Sequence, residues 1–299
     1  MRLRNEISEL FRLAGIDHSS LLTVGECVSE LKLARERVSL HLVDHNTLSP
    51  EFCGFEDRVV EIIDHRKDEG RYPHVTGSMR TISYDPTIER GVGSCCTLIA
   101  EKLRQCSVTP QHPVLASLLE GVILLDTLNL SPTVNKTTLQ DISIVHWLQS
   151  FVSIDQESLY KRLFNSKYDP TLWKSMSIRE AFEYDYKVYQ RNGIQIGWSA
   201  VLIDLSLYMK KESYPEELDK YCRENKLDVF IFSSVLSKGT PKREIAFYLP
   251  RKNLEDKLNY TETLLKAKFH LKELGPHFWT TDTPISRKGL APMIMDSLT

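Results

Sequence analysis

The sequence predicts an α/β protein, a parallel-sheet domain followed by a smaller α/β domain, and three observations carry that reading. Two short apolar runs each end in an Asp-His pair: Leu40, Leu42 and Val43 precede Asp44-His45-Asn46, and Val59, Val60, Ile62 and Ile63 precede Asp64-His65-Arg66. Short aliphatic runs closed by acids suit parallel strands buried on both faces. Helical patterns flank these runs, which is the alternation of a βα fold. The 299 residues exceed one ordinary core and fit two domains of about 150 residues.

Taken in order, Ile7, Leu10, Phe11 and Leu13 have helical spacing within Met1 to Gly15. Glu6 and Glu9 stand among the arginines there, so the segment reads as an amphipathic helix and not as a signal or transit peptide. A loop at Asp17 to Ser20 leads to a helix over Val24 to Arg35 and then to the strand ending at Asp44. Lys67 to Glu89 carries Gly70, Pro73, Gly77 and Pro86 and reads as a long loop or a loop with a short strand, where active-site loops belong. Gly91-Val92-Gly93-Ser94 opens a helix over Cys95 to Gln105 with Ser94 as its N-cap. The same turn offers backbone N–H groups to an anion.

Val114 to Leu128 reads as a buried helix with a short extended end, interrupted by Asp126. A carboxylate among Leu124, Leu125 and Leu128 needs a cap, a core hydrogen bond or a metal. Helices fill Lys136 to Tyr160, and the polar patch Asn165 to Pro170 is the best linker, which sets the domains at 1–165 and 170–299. The second domain reads as a helix over Ile178 to Tyr189, a strand-like run Ile194 to Leu205 and a charged helix Glu216 to Glu224. Strands follow at Leu227 to Leu236 and Arg243 to Leu249, joined by the Lys238-Gly239 turn, and then a long helix Leu254 to Leu274 before Gly275-Pro276.

Composition excludes several classes. A formal net charge of -2 gives no general attraction to nucleic acid or anionic membrane, so phosphate recognition must be local. No apolar run approaches the roughly 18 to 20 residues of a membrane span. The six cysteines show no zinc-ribbon spacing and fit a reducing compartment, the cytoplasm. Acids and imidazoles at strand ends converge where open α/β sheets bind ligands, which makes metal-dependent phosphate chemistry the leading reading.

With Leu42-Val43-Asp44-His45-Asn46, Ile63-Asp64-His65-Arg66, Gly93-Ser94-Cys95-Cys96-Thr97-Leu98 and Gly121 to Asn129 in this order, the chain resembles the DHH phosphoesterase superfamily, in its exopolyphosphatase and prune branch. Arg66 stands where most of that superfamily has a second histidine, a mark of prune-like proteins. The second domain resembles the accessory, DHHA2-type domain of the branch, with Asp185-Tyr186-Lys187 in its first helix and Ser286-Arg287-Lys288 near the end.

The resemblance implies two divalent cations, Mg2+ or Mn2+, in a cleft between the domains, and hydrolysis of short-chain inorganic polyphosphate or another phosphoanhydride. By the match, Asp44, His65 and Asp126 are metal ligands, and Asp64 and Arg66 belong to the catalytic set. Lys187, Arg287 and Lys288 hold the non-reacting phosphates. His45 is expected to be structural or to support a ligand. The family's first motif, an Asp-x-Asp on an earlier strand, has no counterpart: Asp17 is the one aspartate before Asp44, in the loop-like Gly15-Ile16-Asp17-His18. A shortened isoform or gene model is the favoured explanation, and the remaining ligands suffice for one cation at best. The competing expectation is a catalytically weak prune-like protein that acts by binding protein partners.

Overall fold

Val59, Ile62 and Ile63 are almost wholly buried, and the strand they build lies at the centre of a three-stranded parallel sheet. The computed structural model describes residues 4–17, 19, 21–106, 113–134, 136–236, 242–283 and 287–298. The chain divides into two compact units, Met1–Lys167 and Tyr168–Thr299.

The first unit opens with α1 (Asn5–Ala14), α2 (Val24–Leu33) and β1 (Leu40–Val43), followed by β2 (Val59–Asp64) and β3 (Arg80–Ile82). A short hairpin, β4 (Tyr84–Asp85) and β5 (Arg90–Gly91), leads to α3 (Cys95–Gln105), α4 (Pro113–Asp126), α5 (Leu139–Leu148) and α6 (Gln156–Lys167). The order β1-β2-β3 is parallel throughout, with Ile63 opposite both Val43 and Thr81. Alternation in β2 serves two cores. Ile62 packs with Leu42, Tyr72 and Val75, while Ile63 packs with Val92, Cys95 and Leu98 at the start of α3. Burying each such aliphatic side chain contributes about 1.5–3 kcal/mol.

A helical core lies beside the sheet. Leu10 of α1 and Leu163 of α6 close on α4 at Gly121, where a Cβ would come within 2.7 and 2.9 Å of their methyl groups. Gly121 is therefore a packing requirement, and it fixes the height of α4 whose last residue is Asp126.

The second unit contains α7 (Pro170–Ser175), α8 (Ile178–Glu183), β6 (Lys187–Arg191), β7 (Ile194–Val201), α9 (Ser206–Met209) and α10 (Tyr214–Glu224). Then follow β8 (Val229–Leu236), β9 (Lys242–Tyr248), α11 (Glu255–Phe269), β10 (Lys272–Gly275), β11 (Phe278–Thr281) and α12 (Arg287–Leu298). Its sheet runs β10-β11-β9-β8-β7-β6, with β7 and β8 parallel and every other pair antiparallel. Alternation in β8 again serves both faces. Val229 and Ile231 join the core under α11 and α12, while Phe230 and Phe232 meet Phe182 at 5.0 and 5.4 Å between ring centroids.

Two elements differ from the sequence reading. The helix expected over Ile178 to Tyr189 stops at Glu183, so Lys187 starts strand β6 and is not on a helix. The reason is local: Asp185 takes φ +44°, and Asn192-Gly193, at φ +50° and +79°, makes the tight turn that pairs β6 with β7. The helix expected to Leu274 ends at Phe269, because His270 at φ +51° caps it in the left-handed region and the chain returns as β10. The Lys238-Gly239 turn and Ser286 lie outside the described residues.

Candidate metal centre

β1 ends at Val43, but its pairing runs one residue further, with Asp44 N–H donating to the Ile63 carbonyl at 3.0 Å. The chain then turns sharply at φ +64°, a conformation that Asp tolerates better than most residues. The turn carries the Asp44 carboxylate to His65, with Oδ1 3.1 Å from Nε2, and to Arg66, whose Nη2 donates to Oδ2 at 3.1 Å. Asp44 is half-exposed and His65 is largely covered.

The orientation of His65 is set from behind. Its Nδ1 lies 2.7 Å from the Val92 carbonyl, which can only accept, so Nδ1 carries a proton. In the neutral ring the lone pair is then on Nε2, facing Asp44, the arrangement by which histidine ligands are held. Burial opposes charging of this imidazole, yet the Asp44 carboxylate and the Val92 carbonyl outweigh it and raise its pKa.

Asp44, Asp64 and His65 each offer a ligand atom within 4.8 Å of one another. Asp64 is fully buried and both its oxygens are engaged: Oδ1 accepts from His65 N–H at 2.7 Å, and Oδ2 accepts from Asn46 Nδ2 at 2.6 Å. Asn46, itself buried, also donates to the Lys67 carbonyl and accepts from Glu69 N–H. The pair braces the two loops that leave β1 and β2. His45 is exposed with Nδ1 2.9 Å from the Val43 carbonyl, and Asp17 accepts from Ser19 in a local turn; His18 lies outside the described residues.

Asp126 comes from α4 and lies outside the tight group of three. Its Oδ2 accepts from Ser94 Oγ at 2.7 Å. Solvent reaches its side chain, but protein surrounds it on the other sides, and that loss of hydration raises its pKa against the pull of Ser94. The charges of Lys167 and His65 pull this pKa back down, and that of Asp44 pushes it further up. The chain leaves α4 through Leu128, Asn129 and Leu130 at φ +50°, +60° and +58°, a run of left-handed residues. Backbone strain of this kind collects at functional sites.

Sequence reasoning missed Asp141. Fully buried on α5, it accepts from Gly93 N–H at 2.9 Å, from Thr97 Oγ1 at 2.5 Å, and from Thr138 N–H and Oγ1 at 2.7 Å each. It thereby holds the Val92-Gly93-Ser94 turn, from which Val92 orients His65 and Ser94 orients Asp126. Gly93 is required there, since a Cβ would sit 2.6 Å from Thr127 Cγ2 and 3.0 Å from Asp141 Oδ2. The available signal was the Thr138-x-x-Asp141 capping box. Cys95 and Cys96 flank the site, but burial pushes both thiols up to about 12, so neither is a thiolate at neutral pH.

In the second unit, Lys187 is exposed at the start of β6. Arg287, near the start of α12, donates Nη1 to the Asp185 carbonyl and pairs Nη2 with Asp185 Oδ1 at 2.9 Å, so it clamps the left-handed residue before β6. Lys288 follows it on α12.

Residues 161–297 match the model of the DHHA2 domain family. A Schizosaccharomyces pombe protein assigned as an exopolyphosphatase is 31% identical over 100% of this chain and 79% of its own. The exopolyphosphatase PRUNE1 of Rattus norvegicus is 26% identical over 88% of this chain and 58% of its own, so the chain spans under two thirds of that relative's length. A cobalt-dependent inorganic pyrophosphatase of Clostridium perfringens is 32% identical over 53% of this chain and 27% of its own. The crystal structure of a Methanococcus jannaschii protein assigned as a family II inorganic pyrophosphatase shares the fold, with TM-score 0.64 and 21% identity over 99% of this chain and 88% of that one. The four ordered motifs, the fold and these relatives agree: the chain belongs to the DHH phosphoesterase superfamily, in its exopolyphosphatase and prune branch.

Proposed function

We propose that this chain hydrolyses phosphoanhydride bonds in a divalent-metal-dependent reaction of the exopolyphosphatase type, with short-chain inorganic polyphosphate as its substrate. The observation that carries the reading is His65, whose Nδ1 is tied to Val92 while Nε2 faces the exposed Asp44 carboxylate across 3.1 Å. One imidazole with carboxylates suits Mn2+ or Mg2+, and Asp44, His65 and Asp126 make a donor set for one cation with open positions. Such a cation, once bound, supplies positive charge at the phosphoryl oxygens and a water of lowered pKa.

The chain's own groups do the positioning. Asp64 and Asn46 keep the two strand ends rigid, and Ser94 fixes the Asp126 carboxylate. Arg66 donates to the Asp44 carboxylate that also faces His65, and its permanently charged fork would take a phosphate oxygen. Lys187, Arg287 and Lys288 are assigned to the non-reacting phosphates, as the family match implies.

One observation favours the second reading, a weakly catalytic protein acting through protein partners. Asp126 lies outside the tight group of Asp44, Asp64 and His65, which leaves that group without a fourth close donor among the described residues. Calorimetric titration of the full chain with Mn2+ separates the two. The hydrolase reading expects saturable binding that His65→Ala weakens about 10- to 100-fold, the scale of disturbed metal-site partners. Absence of Mn2+ binding would remove it and leave the interaction reading standing.

A further inference from the structure

Helices α4 and α5 are tied to the metal-centre turn at one end and to each other at the other. Asp126, last in α4, accepts from Ser94, and Asp141, in the first turn of α5, accepts from Gly93. Further along the pair, Gln149 at the C-terminal cap of α5 donates its amide to Glu120 Oε1 of α4 and to the Ile154 carbonyl. The two helices therefore run antiparallel, and Ile123 and Leu124 share one core with Ile144, Val145 and Leu148.

Glu120 is out of place in that core. It is fully buried, its Oε2 has no partner, and Gly121 beside it lies under Leu10 and Leu163. A carboxylate with one hydrogen bond in apolar surroundings is costly, whereas the protonated group is tolerated. The helices packed on α4 are α1, α3, α5 and α6. On α1 and α6, Glu6 pairs with Arg4, Glu9 with Arg12 and Arg162, and Glu157 with Lys161, while Lys167 acts on Asp126. On α3, Lys102 pairs with Glu61 and Arg104 with Glu101, and on α5 Asp141 holds the turn while His146 is exposed. None of these acts on Glu120, nor do Cys96 and Tyr160 at the border of the core: burial and the Gln149 amide alone do.

We propose that Glu120 is a proton-operated latch: protonated, it lets Gln149 hold α4 against α5, and ionised, it loosens the last turns of α4 and with them Asp126. Burial raises the pKa of Glu120 from 4.5 to about 7 in the closed helix pair, and a side chain opened to water returns to its ordinary value. The open form thus holds fewer protons. Each pH unit between those two values favours opening about tenfold, and the effect levels off above the higher one. The latch is tight in acid and loose at neutral pH, opposite in sign to the competition of protons for metal ligands. The inference rests on the hydrolase reading for one point, that Asp126 is a metal ligand.

Hydrogen exchange of the full chain in EDTA, corrected for the intrinsic rate, follows the latch between about pH 5.5 and 7. Amides in the last turns of α4 should lose protection about tenfold or more across this range. That loss should be insensitive to low urea, since a local opening exposes little surface. Equal, urea-dependent loss in α4 and β2 would mark global unfolding and overturn the latch. Glu120→Gln, neutral and of the same shape, should keep α4 protection flat; a fall equal to that of the wild type overturns the proposal. Gln149→Met removes the hydrogen bond that lowers the Glu120 pKa and should move the loss to higher pH; an unmoved loss also counts against it. Mn2+ is then added. If Mn2+ leaves α4 exchange unchanged while its dependence on Glu120 persists, the hydrolase reading alone falls; if Mn2+ slows α4 exchange and Glu120→Gln changes nothing, the latch alone falls.

Discussion

Replacing Asp141 by alanine should loosen the metal centre without removing any of its ligands. The carboxylate accepts four hydrogen bonds, two of which, from Gly93 N–H and Thr97 Oγ1, come from outside its own capping box. A buried donor left unmet costs about 1–3 kcal/mol, so these two put the loss near 2–6 kcal/mol, with the lower half expected where water enters. The freed Val92-Gly93-Ser94 turn would then release the Val92 carbonyl from His65 and the Ser94 hydroxyl from Asp126. Loss of such outer partners weakens metal binding about 10- to 100-fold. Asp141→Asn should recover most of both effects. Its oxygen can keep Gly93 and Thr138, while its amide donates to a Thr97 hydroxyl turned to accept. Urea unfolding and Mn2+ titration of both variants read the two consequences. An Asp141→Ala chain that loses stability yet binds Mn2+ as wild type does would refute the coupling.

Four further outcomes follow from the same structure. Glu120 is fully buried on α4, and burial, opposed by the Gln149 amide, raises its pKa from 4.5 to about 7. The folded chain therefore holds a proton that the unfolded chain releases between those values, so stability falls by roughly 3 kcal/mol as pH rises through that window. Glu120→Gln should flatten the fall between pH 4.5 and 7 in denaturant melts; an unchanged slope would count against the assignment. Gly93→Ala should lower both stability and metal affinity, because its Cβ meets Thr127 and Asp141 at 3.0 Å or less; a variant with wild-type melting would contradict that packing. Phe182→Ala should cost about 3–5 kcal/mol, the usual price of an aromatic truncated in a core, read as a lower Tm. His65→Gln, which keeps an amide but no imidazole lone pair, should weaken Mn2+ binding more than Asp64→Asn lowers it per unit of lost stability; the reverse order would make Asp64 the ligand.

The parts of the fold that were legible in the sequence are those in which local chemistry and burial agree. β1, β2 and α3 follow their apolar runs, and Ser94 caps α3 through Cys96 N–H. Lys187 was misplaced because Ile178 to Tyr189 carries a helical pattern that the left-handed Asp185 interrupts, and nothing in the apolar spacing announces that. The Asn192-Gly193 turn was the available warning. Asp44, His65 and Asp126 could be chosen from motif order, but their separation is a property of the packed chain: Asp44 and His65 touch, and Asp126 answers to Ser94. Asp141 and Asn46 matter through long-range contacts, which leave no periodic trace in sequence.

Phosphate release from tripolyphosphate, measured for the full chain with and without Mn2+ and repeated on Asp126→Asn, tests the central claim most directly. The account predicts release that requires Mn2+ and that the substitution abolishes while the fold, read by Tm, is kept. Release that is independent of metal, or equal in Asp126→Asn, would contradict it.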